Sequence, residues 1–340
     1  MIHHCHRETV NVFRLGSLDT SEVEQALHHA NALQHAFNFK FDFYGQRLSL
    51  DEKYKLHNGG YDLCGAVEEL LKTNEHERLP RPLIVLSAEP LGDPDHASDP
   101  DWFYLSSQEE EYDPQVTIIS TQPLAVLPKT RSLENYLFMM LSIYMLTTYA
   151  NVSYHDNSIG CVLDYCDELS ALENCFIKGE LCNDCEVQLQ QRMRQNQISI
   201  EKVAAATRML NRAAGRKYCF VVMPFKNRFN PVFEVICEAL LELGWKIRRA
   251  DEVSYPRIIT DLILKEILTS DLVVADLTNS NPNVFYEVGL THTVGNDLLL
   301  LTQQKQIPFD LKNEQTIFYG INELEKLKKA IQLRVGSGVA

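Results

Sequence analysis

Asp276 and Glu287 flank a short polar stretch, Leu277-Thr278-Asn279-Ser280-Asn281-Pro282, that leads from an apolar run into a helical one. Asn283 and Glu287 are four apart, the spacing that shares one helix face. Early helix positions lie beside amides without helical partners, where a carboxylate or phosphate is favoured. A glutamate there is expected to stay ionised and able to attack. Two neighbouring carboxylates suit glycosidic chemistry. One attacks the anomeric carbon or stabilises an oxocarbenium ion, and the other manages the proton on the leaving base. The plainer alternative is that Asp276 ends a strand and Glu287 answers a helix dipole. Spacing alone leaves both open.

A second constellation is Cys161-x4-Cys166 and Cys182-x2-Cys185, fifteen residues apart. Four thiolates at this spacing suit a tetrahedral structural zinc, which rigidifies a loop with little core of its own. Four buried free thiols are the alternative. Cys175 lies inside the loop as a spare, and His155 is a possible substitute ligand. His3, His4, Cys5 and His6 could gather metal, but they read as a frayed terminus.

These residues need a frame. From Lys217 onward apolar strands alternate with helices at short spacing: Tyr218–Met223, Asn230–Leu243, Trp245–Arg249, Pro256–Thr269, Asp271–Leu277, Asn283–Val294, Leu298–Thr302, Thr316–Tyr319 and Ile321–Leu333. That alternation predicts an α/β fold, a doubly wound parallel sheet covered on both faces. Ligands of such sheets sit at the carboxyl ends of the strands, where the strand order reverses. The sequence places Met223, Pro224, Phe225, Lys226 and Arg228 after the first strand and Asp251 after the second. Lys226 and Arg228 could meet phosphates or simply form a solvated loop. Asp251 could bind ribose hydroxyls or sit in an ordinary turn. His292 reads as a helix-face histidine.

The first part is mixed. Ser17–Phe37 reads as an amphipathic helix capped by Asp19, Thr20 or Ser21. Arg81–Ser87 and Val116–Ser120 read as strands and Leu133–Tyr149 as a buried helix. The uncharged run Tyr136–Tyr154 is just long enough to span a bilayer, but its Ser, Thr, Asn and Tyr content favours a core helix. Residues 191–215 read as a helical connector.

With 340 residues, one large or two ordinary domains are expected. A net charge of −14 argues against direct nucleic-acid binding or an anionic membrane surface. The terminus lacks a cationic-then-apolar signal, and with nine cysteines this predicts reduced thiols in a cytoplasm.

The stretch FVVMPF…SDLVVADLTNSNPNVFYEVGLTHTVG…LLLLTQQKQIPFDL resembles the nucleoside 2-deoxyribosyltransferase-like superfamily. It is most similar to the branch of TIR-like nucleotide-processing domains of bacterial conflict systems. The resemblance implies that Glu287 is the nucleophile, that Asp276 contacts the nucleoside, and that Met223–Phe225 line the sugar pocket. It implies a five-stranded sheet in 216–340, with NAD or a nucleotide as substrate or ligand and no organic cofactor. It further implies an effector in antiviral or stress defence that works as a homo-oligomer. The family's D-x-G-T-like approach to the glutamate is replaced here by Asn-Pro-Asn-Val-Phe-Tyr, which favours hydrolysis over base exchange.

Roughly residues 80–190 resemble an archaemetzincin, in the order strand, VTIISTQPL, buried helix, Cys-x4-Cys, Cys-x2-Cys, which implies a zincin-like α+β domain over 1–190. No HExxH occurs in the chain, so a catalytic zinc cannot be assembled and a peptidase is excluded. The resemblance implies a degenerate domain that keeps only the structural zinc and serves as sensor or scaffold, with Tyr149 and Tyr154 filling the old active-site space. A binding module that senses a nucleotide without chemistry is the alternative to the enzyme.

Overall fold

The structure, a computed structural model, describes residues 7–15, 18–41, 52–55, 61–62, 65–66, 81–91, 104–105, 116–125, 132–166, 169–249 and 259–337. The chain divides into two compact units, Met1–Gly215 and Arg216–Ala340. Both are α/β.

Unit 1 is built on strands β1 (Glu8–Leu15), β2 (Phe37–Phe41), β3 (Leu83–Ser87), β4 (Tyr104–Leu105) and β5 (Val116–Ser120), in the order β2-β1-β3-β5-β4. All neighbours run parallel except β4, which is antiparallel to β5 at the edge. Every residue of β3 and β5 is buried, as expected for inner parallel strands covered on both faces. Helix α1 (Thr20–Leu33) crosses between β1 and β2. Its N-cap is Asp19, whose side chain accepts from Ser21 N. The helix is shorter than its periodicity predicts. The Gln34 side chain accepts from the amides of Ala36 and Phe37, turning the chain so that Phe37 opens β2 instead.

Helix α2 (Leu133–Tyr144) continues as a π-helical turn, Met145–Tyr149. Tyr136 to Met145 are all buried, so its apolar run serves the core. No helix among the described residues is long and apolar enough to cross a membrane. Three helices follow: α3 (Leu169–Lys178), α4 (Asn183–Arg194) and α5 (Ile200–Ala213). Helix α5 is not a free connector. Val203, Ala205, Ala206, Met209, Leu210 and Ala213 belong to the same core as α2, against which α5 packs. Small residues at helical spacing, inconspicuous in sequence, allow that close approach.

Unit 2 contains β6 (Lys217–Val222), β7 (Trp245–Arg249), β8 (Leu272–Asp276), β9 (Asp297–Thr302) and β10 (Thr316–Phe318), in the order β10-β9-β8-β6-β7. All pairs are parallel. Helices α6 (Asn230–Leu241) and α9 (Leu324–Gly336) cover one face, with Cys219, Val221 and Met223 beneath them. Helices α7 (Ile259–Thr269) and α8 (Pro282–Val294) cover the other, with Phe220, Val222, Val273 and Ala275 beneath. The period-two alternation along β6 assigns these residues to the two faces. The strand order reverses between β6 and β8, the position at which such sheets bind ligands.

Candidate functional site

Asp276 is the last residue of β8 and is fully buried. In the β6–β8 register Val222 faces Ala275, which sets Met223 level with Asp276 at the reversal point. Both carboxylate oxygens are committed. Thr278 N donates to Oδ1 at 2.9 Å, and the Tyr319 hydroxyl donates to Oδ2 at 2.6 Å. Gln303 Nε2 in turn donates to Tyr319 Oη at 2.9 Å, and Gln303 N to Thr278 Oγ1 at 3.1 Å. Loss of water raises the Asp276 pKa above its ordinary value, and the bonds from Thr278 and Tyr319 oppose that rise. Tyr319 and Gln303 follow the ends of β10 and β9. The strand-end rule reaches them as readily as the first three strands, but it does not say which side chains turn toward Asp276.

The loop after Asp276 places two successive non-glycine residues in the left-handed region, Asn279 (φ 69°) and Ser280 (φ 50°). Asn281 then caps α8, its side chain accepting from Asn283 N at 3.0 Å. With Pro282 as the first helical residue, Glu287 lies beyond the first turn. The dipole falls off within that turn, so it does little for Glu287. Burial decides instead. Val284, Glu287, Val288 and Thr291 form the inner stripe of α8, and Val284 and Val288 pack with Val222, Ala275 and Leu277. Among the described residues Glu287 has no side-chain hydrogen-bond partner. Its pKa is pushed up to about 7 by desolvation, so the expectation of a permanently ionised glutamate is corrected. Asn283 is exposed while Glu287 is buried, so their spacing does not make one shared surface.

Met223 and Pro224 are buried behind the end of β6, and Met223 belongs to the core under α6. Phe225 is 58% exposed. Lys226 and Arg228 are exposed, and the Arg228 guanidinium lies 5.1 Å from the Phe229 ring centroid. Asp251 lies outside the described residues. His292 pairs with Glu314 at 3.2 Å on the outer side of α8. An open groove of about 800 Å³ lies elsewhere, between Lys305–Ile307, Lys312–Thr316, Phe318 and Arg334. None of the sequence-predicted residues lines it.

In unit 1 the structure gathers His155, Cys161, Cys182 and Cys185, whose donor atoms all lie within 4.8 Å of one another. This cluster could bind a metal such as zinc. It shares three residues with the spacing-based set. Cys166 is directed elsewhere, its sulfur 3.5 Å from that of Cys175. Cys161 is the acidic member. Contact with the Cys185 sulfur, 3.9 Å away, and the amides of Leu163 and Cys182 that donate to its sulfur hold its pKa below the ordinary thiol value. Tyr149 packs edge-on to Phe37 and Tyr144 in the core.

No protein-family model matches the chain, and no curated protein matches it. Among solved structures, a CMP N-glycosidase of Clostridium botulinum is 21% identical, with a TM-score of 0.30, over 34% of this chain and 98% of that one. A 2-deoxyribosyltransferase from Leishmania mexicana is 17% identical, with a TM-score of 0.24, over 29% and 72%. The C-terminal domain of a glucosamine-fructose-6-phosphate aminotransferase from Francisella tularensis is 9% identical, with a TM-score of 0.24, over 96% and 82%. The functional reading therefore rests on this chain's own residues.

Proposed function

We propose that residues 216–340 form an N-glycosidase acting on a nucleoside, a nucleotide or NAD, with Glu287 as nucleophile. The observation that carries this is a buried carboxylate without a side-chain partner among the described residues, on the helix that follows the strand-end loop at the sheet's reversal point. A carboxylate kept from water and from cationic partners remains reactive toward an anomeric carbon.

In the first step the ionised Glu287 oxygen forms a bond to the sugar C1′. The C–N bond breaks, its electron pair leaving with the base; a base that departs as an anion takes up a proton from solvent, whereas the nicotinamide of NAD departs neutral. Water then attacks C1′ of the glycosyl ester. Glu287 departs as the carboxylate, and free sugar and base are released. Asp276 has both oxygens engaged, so we assign it the role of a fixed charge that organises the strand-end loop rather than of a proton carrier. Met223 and Pro224 form the buried wall beside it, and Phe225, Lys226 and Arg228 offer an exposed ring and two cations to the substrate. Asn283 at the exposed start of α8 offers an amide.

Mass spectrometry of nucleotide and NAD mixtures incubated with the full chain tests this. Free base should accumulate, and Glu287→Gln should lower the rate by roughly 10³-fold or more. Undiminished turnover by that variant overturns the assignment. The receptor reading draws on the full engagement of Asp276. Its signature is saturable binding without base release, unaltered in Glu287→Gln.

For unit 1 we propose a structural zinc in the cysteine loop. The order β5, buried α2, cysteine loop supports the degenerate zincin-like reading. As the resemblance implies, that unit would be the sensor or scaffold of a homo-oligomeric defence effector. Challenge of expressing cells with phage tests this: Glu287→Gln should abolish any protection.

A further inference from the structure

We infer that the zinc proposed for unit 1 is held by His155, Cys161, Cys182 and Cys185, with Cys166 outside the coordination shell. This rests on the proposed zinc site and changes one ligand of the four that spacing suggests. The change matters because a three-thiolate, one-imidazole site carries one negative charge fewer than a four-thiolate site. It also leaves a thiol free to react.

Two of the donor–donor distances match the edges of a zinc tetrahedron, and all four donors lie within 4.8 Å of one another. With Zn–S near 2.3 Å and Zn–N near 2.0–2.1 Å, two sulfur ligands stand about 3.8 Å apart and a sulfur–nitrogen pair about 3.5 Å apart. Cys161 Sγ and Cys185 Sγ are 3.9 Å apart, and Cys182 Sγ and His155 Nε2 are 3.5 Å apart. The two pairs thus form opposite edges of one polyhedron of a size that suits zinc. These edges bring together three chain segments: the turn after α2, the loop at Cys161, and the start of α4.

The backbone holds the donors in place without the ion. His155 N donates to Leu163 O at 3.1 Å and Tyr165 N to His155 O at 2.9 Å, so a short parallel bridge fixes the histidine. Asp164 Oδ2 accepts from the amides of Gly160 and Cys161, which sets the turn from which Cys161 projects. Leu163 N and Cys182 N point at the Cys161 sulfur, at 3.4 and 3.3 Å. Amides aimed at a sulfur favour its thiolate form, the form that ligates. Cys182 is the N-cap of α4, and Cys185 lies in its first turn, fully buried.

Cys166 belongs to a different group. Its thiol donates to Asp164 O at 3.4 Å and touches the Cys175 sulfur at 3.5 Å. The Cys175 thiol donates to Cys161 O at 2.9 Å. Cys175 therefore supports the loop from beneath, and Cys166 pairs with it at the half-buried rim.

The test uses the full-length chain purified with zinc. Cys166→Ser should keep the wild-type zinc content by elemental mass spectrometry. His155→Ala should lose zinc to a chelator at roughly 10- to 100-fold lower chelator concentration. In the zinc-loaded wild type a maleimide should label Cys166 and spare Cys161, Cys182 and Cys185 until chelator is added. If His155→Ala does not fold, His155→Cys decides: with cobalt in place of zinc, its thiolate-to-cobalt absorption should exceed that of the wild type, while Cys166→Ser leaves the band unchanged. Zinc lost in Cys166→Ser and kept in His155→Ala overturns this ligand set and restores the four-cysteine one. A wild-type chain that binds neither zinc nor cobalt removes the zinc site itself.

Discussion

Glu287 sets the residue scale because its burial has a thermodynamic sign. The fold raises its pKa from the ordinary 4.5 to about 7, so folding favours the protonated form. The stability from this group is therefore complete below pH 4.5 and is lost as pH rises through 7. The shift corresponds to on the order of 3 kcal/mol. Glu287→Gln, which does not titrate, should be more stable than the wild type at pH 8, with the gain vanishing near pH 4.5. Urea denaturation across that range measures it. The same ionisation governs the proposed nucleophile, so base release should rise with pH through about 7. A rate that falls through 7 would assign Glu287 to proton donation instead.

Tyr319 makes a second prediction at this scale. Its hydroxyl supports a buried, otherwise costly Asp276 carboxylate, and charged hydrogen bonds contribute about 1.5–3 kcal/mol. Tyr319→Phe should cost about that much at pH 8. It should cost less as pH falls through the Asp276 pKa, because the neutral acid accepts a weaker bond. A double-mutant cycle with Asp276→Asn should show coupling of about 0.5–3 kcal/mol, and additive losses would remove the link.

At the scale of elements, α7 is fastened to the sheet through a buried charge. Glu266 is 3% exposed, accepts from the Tyr218 hydroxyl of β6, and pairs with Arg248 of β7 at 3.2 Å and with Lys265 at 3.6 Å. Desolvation alone would raise its pKa, but the Lys265 and Arg248 charges and the Tyr218 bond overcome it and hold the pKa down. This stability is present above the unfolded carboxylate pKa and lost as pH falls through the folded one. Glu266→Ala leaves Arg248 without its Glu266 partner and should destabilise unit 2 by about 3–5 kcal/mol. Chemical denaturation read from unit 2 checks it. The α8 terminus is a smaller case. Asn281→Ala removes the cap that ends the left-handed loop and should cost about 1 kcal/mol.

At the scale of the whole molecule, the two units own separate cores: the one around α1, α2 and α5, and the two on either face of the second sheet. The metal cluster lies wholly in the first. Stripping zinc from the loaded protein should therefore lower hydrogen-exchange protection in α3, α4 and the loop before them. Amides of β6, β8 and β9 should keep theirs. Protection lost equally in both units would show that the ion stabilises more than its own loop.

The sequence by itself determined what short-range pattern determines. Strands β6, β8 and β9 are legible because inner parallel strands covered on both faces must be largely apolar, and Pro282 and Gly295 mark the ends of α8 by backbone constraint alone. Cys161, Cys182 and Cys185 are legible as donors by type and spacing. The tertiary structure decided everything that depends on which groups meet. It buried Glu287 away from the helix dipole and brought Tyr319 and Gln303 to Asp276 from two other strands. It drew α5 into the first core through small residues and set His155 in the place that spacing gave to Cys166. Desolvation and hydrogen-bond partnership belong to neighbours in space, so a one-dimensional pattern cannot carry them.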